Sequence, residues 1–141
     1  MRNLSSNYKS NEKKLVAILN LITDDHISLS EDPYSPFDAS NSKSIIELKK
    51  RAKVYANKML EVDKMERNLV EAYKRQKSFV YIVWDDSGIY FLDVSKNSSA
   101  IRSLGVAVLP CPKTSAFENN NKVDKRVYNV PGSWFNKLTL P

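Results

Sequence analysis

The sequence predicts a single α/β domain whose central sheet is mixed, mostly antiparallel and flanked by helices. Apolar residues recur at helical spacing near the start of the chain, and a continuous β-branched and aromatic segment lies at 79–84. With 42% apolar and 27% charged residues, the 141-residue chain can bury one core. We expect residues 1–10 to be a flexible N-terminus and 11–141 to be the domain, with a core over 11–94 and C-terminal strands and a flap over 95–141.

The first predicted element is a helix. Asn11 can cap it, and its apolar periodicity continues to about Asp24. Glu12 lies three to four residues before the first buried positions and therefore shares the inward-facing side. The predicted apolar stripe consists of Leu15, Ile18, Leu19 and Ile22.

Short strands are predicted to follow the helix. Pro33 and Pro36 exclude a long helix between residues 25 and 44. Short alternating segments at 26–29 and 37–39 predict two strands. A reversal at 41–43 would then lead into a third, antiparallel strand.

The segment 44–77 contains neither Gly nor Pro and admits two interpretations. In one, it is a single helix with a heptad seam, and the protein would be a non-catalytic nucleic-acid-binding or helical interaction protein built on that helix. In the other, Ile45–Lys49 is a strand, residues 50–60 are irregular or extended, and a helix begins near Asp63. A helix covering the whole segment would be unusual in a small domain.

The second half of the chain is predicted to contain mostly strands. Residues 79–84 are expected to form a central strand buried on both faces, and a turn at 85–88 leads to a partner strand at 89–94. A further strand at 104–109 should stop before Pro110, because proline cannot donate to a ladder.

The C-terminal region completes the predicted fold. Residues 113–126 are expected to be a polar loop, and 127–130 a last short strand. Trp134 and Phe135 then pack as a flap on the domain.

The composition limits which partners and which metal ligands the protein can have. The 22 Lys and Arg against 16 Asp and Glu give a net charge of +6, which favours a polyanionic partner such as nucleic acid. A single Cys111 and a single His26 exclude a disulfide and a site built on thiolate or imidazole, so a bound metal would need oxygen ligands. The cysteine usage, the lack of a long apolar segment and the polar N-terminus predict a cytoplasmic protein without membrane association.

The strand interpretation of 44–50 brings three charged residues together. Glu47 and Lys49 are two residues apart and share one sheet face, while their neighbours point to the core. Closure of the hairpin brings Asp38 to the same neighbourhood. A divalent ion between two carboxylates would relieve their repulsion. Glu12 could add a third carboxylate or hold a second ion.

These residues resemble the motif of the PD-(D/E)xK nuclease superfamily, and the chain resembles its small restriction-endonuclease-like or resolvase-like members. Pro36-Phe37-Asp38 is followed after eight residues by Glu47-Leu48-Lys49, in the family's order of helix, strand, strand, helix and strand. The Pro precedes Asp38 by two positions rather than one. The likeness covers about residues 11–94. It continues through Arg51, Tyr55, Met59-Leu60 and Lys64.

The resemblance implies a restriction-endonuclease-like core and an endonuclease that hydrolyses phosphodiester bonds in DNA with Mg²⁺ or Mn²⁺. It further implies that Asp38, Glu47 and the backbone carbonyl of Leu48 hold the ion. Lys49 would orient or activate the attacking water. Glu12 is the fourth candidate catalytic residue.

Basic residues directly after the motif could neutralise DNA phosphates. Cutting both strands, or resolving a junction, would normally require a homodimer. The sequence leaves open whether the substrate is double-stranded, branched, nicked or single-stranded DNA, or RNA. The candidate DNA-binding residues are Lys50, Arg51, Lys53 and Lys58.

Overall fold

The computed structural model describes residues 4–112 and 122–139 of the chain. In these residues, two sheets accompany the helices α1 (Leu4–Asn20), α2 (Val62–Arg75) and α3 (Val94–Ser103). The strands are β1 (Ser28–Leu29), β2 (Ala39–Ser40), β3 (Ser44–Lys50), β4 (Asn57–Glu61), β5 (Ser78–Asp85), β6 (Gly88–Asp93), β7 (Ala107–Pro112), β8 (Lys122–Pro131) and β9 (Asn136–Lys137). None of the described helices is long and apolar enough to cross a membrane.

The larger sheet has six strands in the order β1-β2-β3-β5-β6-β9. Only β3 and β5 pair in parallel, and the other neighbours in this sheet are antiparallel. The parallel pair requires a crossover, which β4 and α2 supply. This confirms the predicted mixed, mostly antiparallel sheet flanked by helices. A smaller sheet has the order β4-β8-β7.

Both faces of the larger sheet are covered. The α1 face buries Leu15, Val16 and Leu19 with Ile46, Leu48 and Ile82. The opposite face packs against α2, α3 and the smaller sheet, and its core includes Ile45, Met65, Phe79, Tyr81, Ile101 and Val130. Because β3 residues alternate between these faces, Glu47 also lies on a buried face, whereas the sequence placed only its neighbours Ile46 and Leu48 toward the core.

The first helix is longer at its start and shorter at its end than predicted. It begins at Leu4 instead of Asn11, so residues 4–10 of the expected flexible N-terminus belong to it, because neither Gly nor Pro interrupts them. It ends at Asn20, short of Asp24. The Asn20 side chain accepts from the Ile27 N–H at 2.8 Å and donates to the Ile27 carbonyl at 3.0 Å, which ties this helix end to the next segment.

The strand interpretation of residues 44–77 is confirmed. The segment forms β3, β4 and α2, so the long helix of the alternative interpretation is wrong. Tertiary packing outweighs the helix propensity of these residues, because Ile45 and Ile46 are buried on opposite faces of the sheet. The helix α2 ends at Arg75, and the C-cap residue Gln76 adopts the left-handed conformation with a φ of 57°.

The C-terminal half differs from the prediction in three elements. The strand β7 contains Pro110 instead of stopping before it, because β7 is an edge strand and needs fewer backbone donors. The helix α3 was not predicted, although Asp93 caps it by accepting the Lys96 N–H at 3.0 Å. The strand β8 starts at Lys122, inside the predicted polar loop, and residues 113–121 of that loop lie outside the described residues.

The predicted hairpin and flap are present. β5 and β6 pair through a turn at Asp85–Gly88. Phe135 packs edge-on against Tyr81 with 6.1 Å between ring centroids, and Trp134 lies against the same core. These aromatic contacts join the C-terminal segment to the face of the sheet that carries Glu47.

Candidate functional site

The candidate site forms where the β2–β3 ladder ends. β2 is two residues long and pairs with β3 only as far as Ile46. Continuing the same register by one residue sets Asp38 opposite Glu47. The Asp38 N–H donates to the Ile46 carbonyl at 2.9 Å, and the Leu48 N–H donates to Oδ2 of Asp38 at 2.8 Å. The Asp38 carboxyl therefore occupies the edge of β3 just beyond the last β2 pairing.

The backbone of Leu48 adds an oxygen to this edge. In a strand, the N–H and C=O of one residue point to the same side. Because the Leu48 N–H meets Asp38, its carbonyl also lies on the edge that β2 leaves uncovered. A carboxyl group and a backbone carbonyl are thus brought together by the shortness of β2.

Burial makes the two carboxyl groups of this site unusual. Glu47 is 5% exposed, and burial together with the charge of Asp38 raises the pKa of Glu47 to about 7. Burial also raises the pKa of Asp38, against the opposing hydrogen bond from Leu48. The buried Glu47 and the half-buried Asp38 repel each other, which creates a place where an added positive charge is favourable.

Two lysines face this pair from different elements. Lys49 lies on the same strand and face as Glu47, and burial, with the nearby charges of Arg51 and Lys64, lowers the pKa of Lys49 to about 8. Lys64, in the first turn of α2, lies 3.5 Å from Oε1 of Glu47 and 3.4 Å from Oε2 of Glu61. Burial lowers the pKa of Lys64, but the two glutamates outweigh it and the pKa is raised.

Sequence reasoning gave Lys64 no role. The residue was part of the family resemblance, but its ion pair with Glu47 depends on how α2 packs against β3. A lysine in the first turn of a helix is unfavourable for the helix dipole, and this was the one local hint of another use.

Glu12 reaches the site from the other side of the sheet. Its helix α1 covers the face opposite Glu47, yet a side-chain hydrogen bond links Glu12 to Asp38 and works against the raised pKa of Asp38. It also lines a small crevice with Leu48 and Trp84. The structure therefore brings Glu12 to Asp38, as the sequence predicted.

Three of the four candidate DNA-binding residues lie near the end of β3. The Lys50 ammonium is 4.8 Å from the centre of the Trp84 ring and 4.0 Å from Oδ1 of Asp86. Arg51 follows directly and is half-buried, and Lys53 is exposed. Lys50 therefore lies on the α1 face of β3 with Trp84, opposite the face that carries Glu47.

Lys58, the fourth candidate, is placed differently, because it is buried and paired within the domain. It is 8% exposed, and its ammonium lies 3.3 Å from Oδ2 of Asp85 and donates to the Tyr55 carbonyl at 2.6 Å. The charge of Lys58 is thus balanced inside the domain. Sequence reasoning grouped Lys58 with exposed basic residues, because its partner Asp85 lies 27 positions away in the chain and no neighbouring residue indicates the pair.

The donor set of the site is two carboxyl groups and a backbone carbonyl. In the part of the chain that the structure describes, no group of three or more His, Cys, Asp or Glu side chains is arranged to hold a metal ion. Comparison of the chain with protein families, with curated proteins and with solved structures finds no match. The chemistry of the site is therefore argued from its own geometry.

Proposed function

We propose that the protein is a Mg²⁺-dependent endonuclease that hydrolyses phosphodiester bonds in DNA, with the restriction-endonuclease-like core of the PD-(D/E)xK superfamily. The observation that carries this proposal is the meeting of Asp38 and Glu47 at the uncovered edge of β3, with Lys49 on the same strand. Their order in the sequence and on the strands agrees with the family motif.

The residues fit a hard cation. Mg²⁺ prefers oxygen ligands and is held by one or two carboxylates together with water. Asp38 and Glu47 supply the carboxylates, and the Leu48 carbonyl lies on the same edge. When bound, the ion supplies positive charge to the scissile phosphate and lowers the pKa of a bound water. Manganese has the same preference for oxygen and would be accepted in its place.

Lys49 provides the proton chemistry in this proposal. An ammonium whose pKa is about 8 exchanges its proton readily near neutral pH. Its Nζ can hydrogen-bond the attacking water and stabilise charge that develops on the phosphate. The 3.5 Å ion pair with Lys64 favours the charged form of Glu47 against the effect of burial, so Lys64 acts as a positioning residue.

The substrate is bound by charge in this proposal. Lys50, Arg51 and Lys53 follow the site, and the chain as a whole carries +6. Neutralising phosphates with these residues would release counterions, so DNA binding should weaken steeply with salt.

The test is DNA cleavage by purified protein in Mg²⁺, in Mn²⁺ and in EDTA. Asp38→Asn, Glu47→Gln and Lys49→Met should each lower the cleavage rate by about 100-fold or more. Glu71→Gln is the matched control, because Glu71 is a carboxylate in a helical ion pair with Arg75 away from the site. Circular dichroism checks that each variant is folded.

Calorimetric titration with Mn²⁺ separates ion binding from catalysis. Wild type and Glu71→Gln should bind the ion, and Glu47→Gln should not. Equal cleavage by Glu47→Gln and Glu71→Gln would show that the site is placed wrongly. Binding of DNA and Mn²⁺ by the wild type, without cleavage of any DNA form, would show that the protein is not an endonuclease.

A further inference from the structure

A cleft of about 290 Å³ opens between the larger sheet and the smaller sheet. Tyr81 and Val83 of β5 line one side, and Met59 of β4 and Cys111 of β7 line the other. The Tyr81 hydroxyl donates to the Met59 carbonyl at 2.9 Å, which joins the two sheets at this point. The walls of the cleft are therefore fixed by regular structure.

The cleft shares a wall with the proposed site. In the parallel register, Tyr81 pairs with Glu47, and Val83 pairs with Lys49. Neighbouring strands are about 4.8 Å apart, so paired residues lie side by side on one face. Arg51 also lines the cleft, and its charge acts on the Tyr81 hydroxyl. A phosphate held at the carboxyl pair would thus have the cleft beside it.

The lining suits a nucleobase. Tyr55, 52% exposed, offers an aromatic surface, and base–aromatic stacking is the usual way in which an unpaired base is bound. Asn57 and Asn129 line the same cleft with exposed side-chain amides, which match the donors and acceptors on base edges. Asn129 pairs with Met59, and Asn57 lies two residues before it, so both amides are on one face of the smaller sheet.

Size and charge limit the occupant. The volume is at the lower end of small-molecule sites, which begin near 300 Å³, so it suits one base with its sugar and excludes a stack. Lys58 and Asp85 also line the cleft, but they neutralise each other. Arg51 supplies the remaining positive charge next to the carboxyl pair, where a phosphodiester would need it.

We propose that this cleft binds one unstacked base of the substrate strand, beside the phosphate that is cleaved. The inference rests on the proposed nuclease function and names the substrate class: DNA with an unpaired nucleotide at the cleavage position. Extruding a base from a paired duplex costs unstacking energy, which an already unpaired nucleotide does not require. The enzyme should therefore prefer such DNA to a fully paired duplex.

The first experiment measures cleavage in Mg²⁺ of two duplexes that differ only in one unpaired nucleotide. Wild type should cleave the interrupted duplex about tenfold faster or more. Tyr55→Ala and Asn129→Ala should lose most of this ratio. Tyr73→Ala, an exposed tyrosine on α2, and Asn136→Ala, an exposed asparagine on β9, are the matched controls and should keep it.

The second experiment needs no cleavage. The fluorescent base 2-aminopurine is placed at the unpaired position, and its emission is followed as protein is added in EDTA. Wild type, Tyr73→Ala and Glu47→Gln should change the emission, and Tyr55→Ala should not.

The two experiments separate the two proposals. Cleavage that depends on Glu47, with equal rates on both duplexes and no 2-aminopurine response, would overturn the base-binding cleft and leave the nuclease intact. A 2-aminopurine response that depends on Tyr55, without cleavage by any form of the protein, would support the cleft and overturn the nuclease.

Discussion

Lys58–Asp85 and Lys64–Glu47 are both pairs of a lysine with a buried carboxylate, and their surroundings differ. Asp85 accepts from Lys58 and also from the Ser87 N–H at 2.8 Å and the Ser87 hydroxyl at 2.6 Å. Glu47 has Lys64 at 3.5 Å, but the second carboxyl group, Asp38, opposes its charge.

The difference shows what it means when the charge of a buried carboxylate is only partly balanced by its neighbours. At Lys58–Asp85, two charges meet with further hydrogen bonds, which is the arrangement of a structural pair. At Glu47, the pKa is raised to about 7, and on the neighbouring Lys49 it is lowered to about 8. Residues that fold into a locally unfavourable electrostatic state are candidates for function.

Removing one partner of the structural pair should have the largest effect on stability. Asp85→Asn keeps a side chain that can accept from Ser87 but leaves the Lys58 charge buried without its counterion. We expect a loss of about 3 to 5 kcal/mol in the free energy of unfolding, measured by urea denaturation. Glu47→Gln is the comparison, and an equal loss in that variant would erase the proposed difference between the two pairs.

The pH dependence of stability should distinguish Glu47. Its pKa is about 7 in the folded protein against an ordinary 4.5, so between these values the folded state holds a proton that the unfolded chain releases. The contribution to stability is greatest below pH 4.5 and is lost as the pH rises to about 7, by about 3 kcal/mol in total.

Urea denaturation of wild type and Glu47→Gln in EDTA, from pH 4.5 to 8, measures the contribution of Glu47 to the free energy of unfolding. The variant should match the wild type at the acid end and become the more stable protein at the alkaline end. A difference between them that stays constant with pH would contradict the assignment to Glu47.

Addition of Mg²⁺ should stabilise the proteins that retain Glu47 and leave the Glu47→Gln variant unaffected. A ligand at 100 times its dissociation constant adds about 2.7 kcal/mol to the unfolding free energy. Wild type and Asp85→Asn should both gain this increment in thermal or urea unfolding, while Glu47→Gln should not. An equal gain in all three proteins would place the ion elsewhere.

Replacing both members of the structural pair should have the smallest effect. Apolar residues of similar volume often substitute for a buried ion pair at little cost. We expect Lys58→Met combined with Asp85→Leu to lose only about 1 to 2 kcal/mol, mainly from the bonds to Ser87. A loss as large as that of Asp85→Asn would show that the hydrogen bonds of this pair matter more than its charge balance.

Local pattern predicted the strands that carry the site. The apolar segment at 79–84 identified β5, whereas β3 was one of two interpretations of 44–77, favoured by the capping-box-like start at Asp63 and the unusual length of the alternative helix. The turn at 41–43 and the adjacent Asp38 were also recognisable. These features depend on residues close together in the chain, where periodicity and turn chemistry are informative.

Long-range packing explains most of what the sequence did not show. The burial of Lys58 depends on Asp85, and the position of Lys64 depends on the docking of α2 against β3. The prolines of β7 could only be placed once that strand was known to lie at an edge. The helix α3 has many Ser and Asn residues, which favour caps and turns over helix interiors, so its pattern was weak.

The two-residue length of β2 also bears on self-association. A strand edge left without a partner is a template on which another chain can pair and aggregate. On β3 the Asp38 carboxyl takes the Leu48 N–H that such a chain would use, and it places an acidic group in the path of an incoming strand. The same short strand that leaves this edge of β3 uncovered thus also places there a carboxyl group that hinders pairing with a second polypeptide.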